Sequence, residues 1–77
     1  MFPEIEQRRE LAGIDQAELC KRAGVHPTTY SARKSGRRTM HENTLRRLDD
    51  ALNSLIREKR DQIVEASKDQ EDHHAAE

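Results

Sequence analysis

Residues Gln16–Gly36, QAELCKRAGVHPTTYSARKSG, decide the fold. The first part, Gln16–Ala23, has helical period: Leu19 and Ala23 are four apart, Cys20 and Ala23 three apart, with Lys21 and Arg22 on the other face. Asp15 stands before it and Glu18 follows three residues later, an Asp version of the capping box. Gly24 ends that helix, because a helix C′ position in left-handed geometry suits glycine. Val25 is an apolar anchor in the turn, and His26-Pro27 restarts the chain with Pro as the first helical residue. A second helix continues from Thr28 to Ser35 and stops at Gly36. Two short helices joined by a Gly-containing turn make a helix-turn-helix.

At about 100° per residue, Thr29, Tyr30 and Arg33 of the second helix face the first. Pro27, Thr28, Ser31, Ala32 and Ser35 face outward, and Lys34 lies on the edge. A small polar face bordered by cations suits the major groove of duplex DNA, which admits an α-helix. Thr28 and Ser31 can each make single hydrogen bonds there, but neither can make the two-pronged contact that separates bases sharply. Arg33 can lay its stem on the core and send its guanidinium outward to solvent or phosphate. Beyond Gly36, Arg37-Arg38-Thr39 is a basic loop whose cations suit phosphate contacts or an adjacent minor groove.

The sequence resembles the Cro/XRE-type helix-turn-helix regulators of phage and bacteria. The resemblance is carried by Gly13-Ile14-Asp15-Gln16, Glu18-Leu19-Cys20, Gly24-Val25, Thr29-Tyr30-Ser31, Gly36, Thr44-Leu45, Leu48 and Ala51-Leu52, over roughly residues 5–55. It implies an all-α, λ-repressor-like DNA-binding domain of about five helices, with the motif at the second and third. It also implies that Gln16 touches a backbone phosphate and that Pro27, Thr28 and Ala32 occupy positions that meet base edges. This chain departs from the family at Ala32, where members often carry a polar or basic side chain, and at Arg33, where they often carry a large apolar one.

The remaining sequence is arranged around the motif. With 77 residues, 32% hydrophobic and 38% charged, the chain can fill one thin core of short helices. Strand signals are absent. The net charge of −1 conceals segregation: residues 21–60 carry eleven basic and four acidic groups, while the segments on either side are acidic. A basic middle between acidic ends suits a polyanion-binding face. The lone Cys20 reads as a small packing residue, and it fits a reducing cytoplasm. No apolar run is long enough to span a membrane, and MFPEIEQRRE has no signal-peptide core, so a cytoplasmic protein is expected.

Pro3 opens a first helix to about Ala12, with a modest apolar stripe from Ile5, Leu11 and Ala12. Arg9 on it is expected in a surface ion pair with Glu6 or Glu10, with a phosphate contact as the alternative. Thr39-Met40-His41-Glu42 reads as a second capping box, opening a long helix whose Leu45, Leu48, Leu52 and Leu55 pack on the motif. Asn53-Ser54 is a weak break, followed by Leu55, Ile56, Ile63 and Val64 at helical spacing. The expected organisation is a DNA-binding domain at 1–55, a helical extension at 56–67 and an acidic flexible tail at 68–77. The extension folds back or pairs with a second copy; pairing is favoured, because twofold binders read two half-sites.

No phosphate-binding Gly-rich loop, nucleophile elbow or metal cluster is visible, so neither an enzyme nor a cofactor or metal protein is expected. His73-His74 lacks a third ligand. The expected function is sequence-specific binding of double-stranded DNA by a small homodimeric regulator, acting as a repressor. Gln16, Pro27, Thr28, Ser31, Ala32, Arg33, Lys34, Arg37 and Arg38 are the candidate contacts. The rival reading keeps the fold as a protein–protein interaction module, an adaptor or inhibitor with little DNA specificity; separately, the C-terminal helix is a candidate surface for a protein partner.

Overall fold

The computed structural model describes the backbone of residues 1–75 and the side chains of residues 1–66. Four α-helices follow in order: α1 (Phe2–Ala12), α2 (Gln16–Ala23), α3 (Pro27–Lys34) and α4 (Glu42–Ala75). The all-helical expectation holds, but the count is four among the described residues and not five. The expected break at Asn53-Ser54 does not form, and α4 continues through it. Asn53 uses its side-chain oxygen to accept a hydrogen bond from Arg8 of α1, so it does not compete for its own backbone.

Three helices end in one way. The N–H of Gly13 reaches Glu10 and that of Ile14 reaches Arg9; Gly24 and Val25 repeat the pattern to Lys21 and Cys20, and Gly36 and Arg37 to Arg33 and Ala32. These paired bonds are Schellman closures, and they require the left-handed φ of 68°, 70° and 79° at the three glycines. The residue after the glycine is thereby turned to a defined side. Ile14 and Val25 turn into the core.

The starts are less orthodox. Asp15 has the extended backbone of an N-cap but makes no side-chain cap bond. Nor does Thr39 open α4. His41 does so, its Nδ1 accepting from Asn43 N–H at 3.2 Å and its carbonyl accepting from Leu45 N–H at 3.0 Å. His26 caps α3 likewise, with Nδ1 accepting from Thr28 N–H at 3.2 Å. An unprotonated ring nitrogen here replaces the usual hydroxyl or carboxylate.

The core is one cluster: Phe2 and Ile5 of α1, Ile14, Leu19, Cys20 and Ala23 of α2 and its approach, Val25, Tyr30 of α3, and Leu48, Ala51, Leu52 and Leu55 of α4. Leu45 is only half-buried against it. The expected α1 stripe is shifted, since Leu11 is 80% exposed while Phe2 is buried. α2 and α1 pack on α4, and α3 packs on α2. Arg8 reaches Asp49 at 2.9 Å, Arg22 grips Glu58 with bonds of 2.5 and 3.0 Å, and Lys59 Nζ donates to the Ala12 carbonyl at 2.5 Å. Lys59 therefore supplies the cation that the carbonyl end of α1 favours. The acidic tail and His73-His74 lie outside the residues whose side chains are described.

Candidate nucleic-acid interface

Tyr30 determines how α3 sits. Its side chain is fully buried, its ring meets that of Phe2 at 5.1 Å between centroids, and its hydroxyl donates to Glu6 Oε1 at 2.6 Å. With that face turned inward, Pro27, Thr28, Ser31 and Ser35 are exposed, Thr29 and Ala32 half-buried. The predicted outward face of α3 is thus accessible, with Ala32 at its inner margin.

Glu6 gathers a polar network beneath this face. Arg9 donates to it from Nε at 2.8 Å and from a guanidinium nitrogen at 2.7 Å, while its other terminal nitrogen donates to the Ile14 carbonyl at 2.8 Å. The expected Arg9–Glu6 pair exists, but it is not on the surface: the two side chains are only 11% and 14% exposed. The Arg9 hydrogen bonds, with lesser help from Tyr30 and Lys34, hold the Glu6 carboxyl down at about 2 against partial burial. The Tyr30 hydroxyl is pushed upward by burial and by the adjoining carboxylate. This network stays charged at neutral pH, with every buried side-chain polar atom partnered among the described residues.

The cations of α3 are oriented by the same helix. Lys34 Nζ lies 3.5 Å from Glu6 Oε2 and donates to Gln16 Oε1 at 3.4 Å. Arg33 is half-buried, and its guanidinium lies 4.8 Å from the centre of the Phe2 ring, a cation–π arrangement. The ring explains how an arginine occupies a slot that faces the core. Phe2 and Glu6 are the residues that sequence reasoning missed here. The Glu6–Arg9 spacing was visible, but nothing local shows that the same carboxylate meets Tyr30 and Lys34.

Gln16 is the first residue of α2, and its amide nitrogen donates to Ser31 Oγ at 3.0 Å. Gln16, Ser31 and Lys34 are thereby brought together across the two helices. Because Asp15 leaves the first turn of α2 without a side-chain cap, its backbone N–H groups remain available beside Gln16. At the other end of α3, the glycine closure that elsewhere buries an apolar residue turns out Arg37. That residue is exposed, with Nε donating to Ser35 Oγ at 2.9 Å. Arg38 is exposed next to it. An accessible helix therefore lies between free N–H groups on one side and an arginine pair on the other. Such a surface can accept a polyanion along its edges and a groove at its centre.

Cys20 is buried in the core, where it fills space, and burial pushes its thiol upward. Among the described residues no helix is long and apolar enough to cross a membrane.

A family model described as helix-turn-helix matches residues 5–62, well over half of the chain. No curated protein and no solved structure matches it.

Proposed function

The chain belongs to the Cro/XRE-type helix-turn-helix family of DNA-binding regulators, and we propose that it binds double-stranded DNA sequence-specifically and acts as a repressor. In this reading α3 enters the major groove, with Pro27, Thr28, Ser31 and Ala32 along base edges. Gln16 with the N-terminus of α2, and Arg37 with Arg38, hold the phosphate backbone on either side. Two copies joined through the distal part of α4, residues 56–67, read two half-sites and occlude a promoter.

One observation carries the reading: Tyr30 is fully buried while Thr28 and Ser31 on the other side of α3 are exposed. A helix held rigidly from behind, with a polar front, is suited to groove insertion. Pairing is supported by Leu11, Ile63 and Val64, three exposed aliphatic side chains lining one groove between α1 and α4.

Selection from random duplex DNA tests the proposal, with enrichment of a palindrome as the expected result. The backbone arm is tested by salt titration of the enriched site. Arg37→Ala and Arg38→Ala should each flatten the slope of log K against log salt by about 0.9. An unaltered slope removes those two residues from the footprint. The adaptor reading is favoured by the engagement of both α3 cations with α1, which leaves less positive charge on the outward face. Failure to enrich any duplex, together with tight binding to a protein, would establish that reading instead.

A further inference from the structure

The two basic side chains of α3 both turn back to α1. Arg33 lies over the Phe2 ring, and Lys34 lies against Glu6. The carboxylate that receives Lys34 cannot swing away, because Arg9 holds it by two bonds and Tyr30 by a third. Its side chain is 14% exposed, against 46% for Lys34, so a fixed negative charge lies under a movable positive one. The second ligand of the ammonium, Gln16 Oε1, belongs to the other helix of the motif. Lys34 is therefore positioned by two partners while the exposed face of α3 lies beside it.

We propose that Glu6 withholds Lys34 from the duplex: the pair stays closed on DNA, and α1 thereby weakens sequence-independent backbone binding without touching DNA itself. This rests on the DNA-binding reading above. Counterion release makes every cation on a phosphate strengthen binding to all sequences alike. Keeping one cation of the recognition helix on an internal carboxylate lowers that common contribution and leaves base contacts unaltered. The ratio of specific to random binding is unchanged, because the common contribution cancels in it, while affinity for bulk DNA falls. Glu6 is a positioning residue in this scheme, acting through Lys34.

Salt titrations of the full chain on one specific and one random duplex decide the matter. Lys34→Met in the wild-type background should leave the slope unchanged, because no phosphate contact is lost. Glu6→Gln keeps an oxygen that can accept from Tyr30 and Arg9 but releases Lys34. Its slope should steepen by about 0.9, with affinity for random duplex raised several-fold at low salt. The Glu6→Gln/Lys34→Met double variant should return to the wild-type slope. A slope flattened by Lys34→Met alone, or an unsteepened slope in folded Glu6→Gln, overturns the proposal. If Glu6→Gln does not fold, the Lys34→Met titration still decides. The Arg37→Ala and Arg38→Ala variants separate the two readings. Flattening by them together with flattening by Lys34→Met defeats only this inference, whereas a wild-type chain that binds no duplex defeats both.

Discussion

Glu6 is where α1 and α3 are joined, and the join is ionic as well as apolar. Its carboxyl is held at about 2 in the folded chain against an ordinary 4.5, first by the hydrogen bonds from Arg9. A depressed carboxylate contributes stability at any pH above its unfolded value, and that contribution disappears as pH falls toward the folded value. The window here runs from 4.5 down to about 2. The contribution is on the order of 2 kcal/mol at neutral pH. In urea unfolding at a series of pH values, the stability gap between wild type and Glu6→Gln should close across that window. A gap undiminished at pH 2.5 would place its origin elsewhere. Tyr30→Phe keeps the ring on Phe2 and deletes the donor to Glu6, so it should cost about 1–2 kcal/mol at pH 7. Half of this site was legible in the sequence. Glu6 and Arg9 are three residues apart on one helix, a spacing that brings side chains together whatever the fold. The contact with Tyr30 joins residues 24 apart, and it exists only once α3 has docked.

Elements were easier to find than their ends. Periodicity and three glycines delimit α1, α2 and α3 because these signals act locally, through face burial and through one backbone angle. The caps were harder. Asp15 carries the expected chemistry but makes no side-chain cap bond, Thr39 lies three residues before α4 begins, and His26 and His41 do the capping. Sequence expectation favours Ser, Thr, Asp or Asn at these positions, so an imidazole acceptor escapes it. For α3 the consequence is measurable. Eight residues form barely two turns, too few to be stable alone, so the helix depends on its cap and on Tyr30. His26→Ala should lower stability by about 1 kcal/mol in thermal or urea unfolding, and His26→Asn should recover most of it. An alanine variant as stable as wild type would show that the Nδ1 bond is not holding the helix start.

At the scale of the whole molecule, the question is what α4 does after it leaves the core. With 34 residues at 1.5 Å each it is about 51 Å long. The tethers from Arg22 to Glu58 and from Lys59 to Ala12 hold it to α2 and α1 near its midpoint. Past them, Ile63 and Val64 are 59% and 46% exposed, facing the groove that Leu11 and Ile56 also line. That groove lies at the C-terminal end of α1, whereas Phe2 and Glu6 at the other end support α3. Along α1, Leu11 lies about 14 Å from Phe2 and about 8 Å from Glu6, so a partner seated there approaches α1 at the end away from Phe2. The rim carries Arg60, and Asp61 and Glu65 bracket Ile63-Val64, so a second copy offers both aliphatic and acidic groups to the groove. Full burial of each aliphatic side chain is worth roughly 1.5–3 kcal/mol, offset by the cost of association. A dissociable dimer is the expected balance. Ile63→Glu/Val64→Glu should remain helical by circular dichroism, since both positions are solvent-exposed in one copy, but should sediment as a monomer where wild type is dimeric. On a palindromic duplex the variant should lose roughly half of the salt slope, because only one subunit then neutralises phosphates in each binding event. Unchanged sedimentation would exclude this groove as the interface, and a monomeric wild type at millimolar concentration would exclude pairing through α4 altogether.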